Sequence, residues 1–180
     1  MDKLKECFNN AIKDENKGKK HKGLLKVEVN EESAKDYIKK AKKNLELCDT
    51  LKIMGLDYKI PEEWFYTLYY CALAILSKFG VESRSQKCTA LFIRYIKDNN
   101  IINYDDEFIN RITVHSDKEE KSDVDKREDA RYSPSIKIEE VKQNYNNMTG
   151  MCKKAISQAE EIIYSTKKYE VSKDLIGSSL

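Results

Sequence analysis

From Trp64 to Phe79 the chain is almost continuously apolar, carrying Trp64, Phe65, Leu68, Tyr69, Tyr70, Cys71, Ala72, Leu73, Ala74, Ile75 and Leu76 in one run. Such a run is too long for one strand and too short to cross a bilayer, so it reads as a helix buried on several sides. Pro61, Glu62 and Glu63 stand at its first turn and Gly80 at its end, the residues that start and stop helices. A helix apolar all round needs partners on more than one face. With only 6 Gly and 2 Pro in 180 residues, and 36% charged residues, the chain lacks the turn residues of a β sandwich or barrel. It reads as all-α.

The partners are visible as stripes. Ala34, Tyr37, Ile38, Ala41, Leu45, Cys48 and Leu51 recur three and four apart, which predicts a helix from Asn30 or Ser33 to about Ile53. Its other face carries Lys35, Lys39, Lys40, Lys42 and Lys43, the pattern of a solvated face. Cys88, Leu91, Phe92, Tyr95 and Ile96 predict a helix from about Ser85 to Asp98. Phe108, Ile109 and Ile112 predict a short one after Asp105. Ile138, Val141, Tyr145, Met148, Cys152, Ala155, Ala159 and Ile162 mark a last helix, the longest. The expected architecture is an antiparallel bundle of four to five helices with a long C-terminal helix.

Three segments follow. Residues 1–30 read as a basic N-terminal extension: a short helix over 3–13, a lysine- and glycine-bearing run from Lys13 to Lys26, and a strand or arm at Val27–Val29. Its lysines suit a solvated arm or a phosphate-contacting one. Residues 31–168 form the bundle, and 169–180 a frayed tail. Net charge is only +2, so nucleic-acid affinity requires a local patch. Cys7, Cys48, Cys71, Cys88 and Cys152 form no C-x-x-C pair, and the first thirty residues lack the apolar core of a signal peptide. The cysteines are expected to be reduced thiols in a cytoplasmic protein. No stretch is long enough to span a membrane.

No glycine-rich phosphate loop and no metal-spaced Cys/His cluster occurs, so neither cofactor nor metal is expected. His21 lies in the basic run and His115 in a polar stretch. The constellation that stands out is Arg127-Glu128-Asp129-Ala130-Arg131-Tyr132 before Ser133-Pro134. Arg127 and Arg131 share a helix face, and Tyr132 reaches the same groove from the helix end. Two guanidiniums held close bind phosphate bidentately. The plainer reading pairs both arginines with neighbouring carboxylates and leaves Tyr132 packed.

Residues 64–76 resemble the W-x4-YYA-like core helix of HEPN domain proteins. Gly80 to Cys88 is similar to that family's G-x-x-S turn, and Arg127 to Tyr132 looks like the R-x-x-A-x-Y segment before its long last helix. The resemblance covers residues 31–168, with the motifs in order. It implies a bundle that commonly forms homodimers. It also implies either a metal-independent endoribonuclease acting through R-x4-6-H, or a non-catalytic module paired with a minimal nucleotidyltransferase in toxin–antitoxin systems. In the active pattern the histidine activates the RNA 2′-hydroxyl and the arginine stabilises phosphorane charge. Arg127 matches the arginine, but the window behind it holds Tyr132, Ser133 and Pro134. An unperturbed tyrosine, with a pKa near ~10, is a poor base at neutral pH. The expectation is therefore a module that binds RNA, nucleotide or a nucleotidyltransferase partner without strong catalysis, with Arg127, Arg131 and Tyr132 as its site. The alternatives are an endoribonuclease toxin with Arg127 and Tyr132 as catalytic pair, and a purely structural bundle. A homodimer is expected to use the aromatic surplus Phe65, Tyr66, Tyr69 and Tyr70. With a nucleotidyltransferase partner, Tyr132 is the expected acceptor of a nucleotidyl group.

Overall fold

The fold is seen in a computed structural model that describes residues 1–113 and 138–176. It is mostly helical. Helices α1 (Asp2–Glu15), α2 (Glu31–Ile53), α3 (Ile60–Lys78), α4 (Gln86–Asp98), α5 (Asp106–Ile112), α6 (Ile138–Ile163) and α7 (Lys173–Ile176) surround one core. Strands β1 (Leu24–Lys26) and β2 (Val81–Ser83) form a small antiparallel sheet.

Helix α2 starts where its capping residues require. Asn30 Oδ1 accepts from the Ser33 N–H at 2.8 Å, and Glu31 and Glu32 occupy the first turn. Helix α3 runs antiparallel beside it. Lys78 Nζ donates to Glu31 at 2.8 Å at one end of the pair, and Asn44 donates to Glu63 at 2.6 Å further along. Helix α6 crosses both: Lys42 bonds Glu160 at 2.7 Å, and the Cys152 thiol donates to the Trp64 carbonyl at 3.8 Å. Helices α4 and α5 complete the surroundings of α3. Phe65, Leu68, Ile75, Leu76 and Phe79 are all less than 2% exposed. At about 1.5–3 kcal/mol for each large apolar side chain buried, α3 is the main source of stability.

Residues 1–30 are not an appended arm, which corrects the expectation of an extension. Leu4, Cys7, Phe8 and Ala11 form a stripe of α1 that is buried in the same core. The strand lies at Leu24–Lys26 rather than 27–29, and it pairs with Val81–Ser83, expected to be a turn. Gly80 permits that pairing: its φ is 63°, and a Cβ there would lie 2.6 Å from the Val27 carbonyl oxygen. The lysines between α1 and β1 are exposed, as on a solvated surface, but the backbone that carries them is docked.

Two further expectations change. Cys7 and Cys88 form a disulfide, so the five cysteines are not all reduced; Cys48, Cys71 and Cys152 are free and buried. The tail is not frayed as far as it is described. Tyr169 stacks on Phe79 at 4.6 Å between ring centroids, and Val171 and Leu175 are buried. Residues 177–180 lie outside the described residues. In α6 the expected stripe is buried from Val141 to Ile162, while Ile138, at the helix start, is 38% exposed.

Candidate aromatic and basic surface

Arg127, Arg131 and Tyr132, with His115, lie outside the described residues. The described residues offer a different surface, along the seam of α2 and α3. Thr67 sits under that seam, its hydroxyl bonded to the Glu63 carbonyl at 2.8 Å and facing the Ala41 carbonyl at 3.4 Å. These contacts fix the register that sets Tyr37 of α2 opposite Tyr70 of α3.

Three tyrosines form a stacked row there. The rings of Tyr37 and Tyr70 are 6.1 Å apart at 22°, and those of Tyr70 and Tyr66 6.0 Å apart at 28°. Tyr69 stacks on Phe65 at 5.8 Å, and Phe65 meets Tyr66 edge-on at 5.4 Å. Phe65 itself is 1% exposed, so it belongs to the core and not to the outer aromatic set expected from the sequence. Tyr37, Tyr66, Tyr69 and Tyr70 are partly buried and packed on that core. A tyrosine suits this depth because its ring buries area while its hydroxyl stays in water.

The charge around the row is graded. Lys40 Nζ lies 5.5 Å from the Tyr37 centroid and 5.8 Å from that of Tyr70, a cation–π arrangement over both rings. Of the other lysines on this helix, Lys39 pairs with Asp36, Lys42 with Glu160 and Lys43 with Glu46. Lys35 and Lys40 have no carboxylate within 4 Å among the described residues. The far end of the row is acidic. Glu63 is half-buried, and burial, followed by the charge of Glu62, raises its carboxyl above the usual range. Burial, then Tyr66 and Glu63, raises the Tyr70 phenol too, so Tyr70 stays neutral at physiological pH. The basic end of this surface is therefore the Lys40–Tyr37 end.

His21 and Tyr145 are occupied structurally. His21, expected in an exposed run, is 2% exposed; its Nε2 lies 3.2 Å from Glu82 and its Nδ1 accepts from the Gly23 N–H at 3.4 Å. That geometry assigns the ring proton to Nε2. The Tyr145 hydroxyl donates to Asp49 at 2.5 Å, with Lys52 Nζ 4.0 Å from the ring centroid. Burial, reinforced by the Asp49 bond, holds that phenol well above its ordinary range. Burial pushes the Cys48 thiol up to about 12 and raises Cys71 further, so neither is a nucleophile at neutral pH. No group of His, Cys, Asp and Glu among the described residues is arranged to hold a metal ion, and no described helix is long and apolar enough to cross a membrane.

The sequence showed the tyrosines of α3 and the lysine face of α2 separately. It did not show that Tyr37 and Lys40 complete the row. The available signal was their three-residue spacing, which puts an aromatic and a cation on one helix edge. Compared with family models, curated proteins and solved structures, the chain shows no match.

Proposed function

We propose that this chain is a HEPN-like helical module that binds single-stranded RNA without strong catalysis. The observation that supports this most is the stacked row Tyr37–Tyr70–Tyr66 with Lys40 over its basic end. Single strands are held by aromatic faces for the bases and by cations for the backbone. In this reading a base takes the place of the Lys40 ammonium on a ring face, and the ammonium moves to the adjoining phosphate. Lys35 adds a second exposed cation on α2, while the acidic end at Glu62 and Glu63 turns the backbone away. Arg127 and Arg131, in the R-x-x-A-x-Y segment, supply the guanidinium pair of the same module, and Tyr132 is the acceptor if a minimal nucleotidyltransferase acts on it.

The test is fluorescence anisotropy with a labelled single-stranded RNA over a salt series. Tyr70→Ala or Tyr37→Ala is expected to weaken binding about 5- to 150-fold, from the ~1–3 kcal/mol that one base stack contributes. Lys40→Ala is expected to lower the salt slope by about 0.7, one phosphate contact to a single strand. Arg127→Ala with Arg131→Ala is expected to lower it further. Affinity unchanged in all these variants would remove the proposal. Cleavage of total RNA by wild type but not by Arg127→Ala would replace it with the endoribonuclease reading.

A second reading is favoured by Tyr66 and Tyr69, partly buried on the same α3 edge: the row is the seam of a homodimer. Light scattering decides it. A dimer that Tyr66→Lys splits to a 21.0 kDa species would support the seam. A monomeric wild type at micromolar concentration would exclude it.

A further inference from the structure

Cys7 on α1 and Cys88 in the first turn of α4 are joined across a sequence separation of 81 residues. The other three cysteines are free and buried, so among the described residues this is the one covalent tie between α1 and the bundle. The non-covalent hold on α1 is a single apolar stripe packed against β1, α4 and α7. It buries Leu4, Phe8 and Ala11 besides Cys7, and Phe8 meets Phe92 edge-on at 6.3 Å. A helix of 14 residues is marginal in water by itself, so the order of α1 depends on its docking. Close packing at the tie is strict: a Cβ at Gly23 would overlap the Cys7 carbonyl. The stretch between α1 and β1, bearing Lys17, Lys19, Lys20 and Lys22, is held at its α1 end through this junction and at its β1 end by His21 on Glu82 and by the pairing of β1 with β2.

We propose that Cys7–Cys88 is a redox clasp whose reduction undocks α1 and frees the basic stretch behind it, while the α2–α3–α6 core stays folded. The reductant is a dithiol. Cys7 and Cys88 are 6% and 7% exposed, so the exchange follows local opening of the α1 end; the first thiolate then attacks Cys7 Sγ, forming a mixed disulfide and expelling Cys88 as the thiolate. Cys88 is the better leaving group because it sits in the first turn of a 13-residue helix, where the backbone dipole favours negative charge. The second thiol of the reductant then attacks the mixed disulfide and releases Cys7. Two electrons and two protons pass to the protein, leaving two thiols, and the reductant leaves as its own disulfide. Reoxidation reverses the exchange and clamps α1. The inference is independent of RNA binding.

The experiment has two parts. In the first, the full chain is denatured and alkylated with and without prior reduction. Three labels without reductant and five with it are expected, and five in both would overturn the clasp. In the second, amide exchange is followed by mass spectrometry on oxidised and phosphine-reduced wild type, with Cys7→Ser and Cys88→Ala as variants open without reductant. In the oxidised protein residues 2–15 are expected to be protected by at least about a hundredfold. In each open form they should exchange within about tenfold of an unfolded peptide, while residues 60–78 stay protected by about a thousandfold or more. Protection of residues 2–15 that survives opening would overturn the proposal. So would loss of protection in α1 and α3 together, which would make the bridge a global staple.

Discussion

Trp64 is the single tryptophan of the chain, and it combines deep burial with an unmet polar group. It is 4% exposed, its ring packs at 5.8 Å from that of Tyr145, and its indole Nε1 has no hydrogen-bond partner among the described residues. Two substitutions separate these properties. Trp64→Ala removes the whole ring and leaves a cavity, which costs about 3–5 kcal/mol. Trp64→Phe keeps one ring and deletes the N–H. The lost apolar volume costs about 2 kcal/mol at roughly 0.8 kcal/mol per methylene equivalent. Relief of a buried unpaired donor returns about 1–3 kcal/mol. The net for Phe is therefore within about 1 kcal/mol of zero. For a chain of this size 1 kcal/mol moves Tm by about 2–4 °C. Trp64→Ala should lower Tm by roughly 6–20 °C and Trp64→Phe by no more than about 4 °C. Far-UV circular dichroism serves all three proteins, and the emission maximum of wild type checks that the indole is dry. A Phe variant as unstable as the Ala variant would refute the reasoning, because the N–H would then have to be bonded in the folded protein.

Other outcomes follow from the same structure. Tyr104 is 2% exposed and its hydroxyl has no partner among the described residues, so Tyr104→Phe should leave stability unchanged or raise it in urea titration; a loss above about 1 kcal/mol would mean the hydroxyl is bonded. Glu63 has a raised carboxyl, so it contributes stability below its ordinary value of 4.5 and loses it as pH rises through the raised one. Glu63→Gln should therefore match wild type in Tm below about pH 4.5 and exceed it at pH 7, whereas a constant offset across pH would count against the buried-charge cause. Gly23→Ala should destabilise by about 1–3 kcal/mol through overlap with the Cys7 carbonyl. Gly150→Ala on α6, where a Cβ meets nothing within 4 Å among the described residues, should stabilise by about 0.5–1 kcal/mol. Equal effects at the two glycines would contradict the packing at Gly23.

What could be read in the sequence was whatever is local. The α2 stripe and its Asn30 cap, the Pro61 start of α3 and the α6 periodicity all express contacts within a few residues, and the helices stand where those signals put them. What could not be read was long-range pairing. Nothing in the neighbourhood of Cys7 points to Cys88, and nothing near Leu24 points to Ser83, because chain folding, not spacing, brings them together. A short helix over 3–13 was likewise expected, but whether it docks depends on a seat built from β1, α4 and α7. Helix α3 poses the same problem in another form. Where every side is apolar, periodicity carries no direction, so Phe65 and Tyr66 could not be assigned to core and surface by pattern.

Residue chemistry supplies the direction that periodicity lacks. Each of the five phenylalanines, Phe8, Phe65, Phe79, Phe92 and Phe108, is at most 1% exposed. Of the tyrosines, Tyr37, Tyr66, Tyr69, Tyr70, Tyr95 and Tyr169 are only partly buried, and Tyr164 is 58% exposed. A phenol costs little in the open and much when its hydroxyl is buried without a partner, so the choice between Phe and Tyr encodes depth. By that rule Phe65 belongs inside and Tyr66, Tyr69 and Tyr70 belong at the boundary, as they are found. Tyr104 and Tyr145 depart from the rule, buried at 2% and 5% exposure. Tyr145 meets its requirement through Asp49, but Tyr104 finds no partner among the described residues. The boundary tyrosines on α3 thus combine a large ring with continued contact with water. Joined to Tyr37 and Lys40 on α2, they are aromatic faces at the surface beside an exposed cation, which is what stacking a nucleobase beside its phosphate requires.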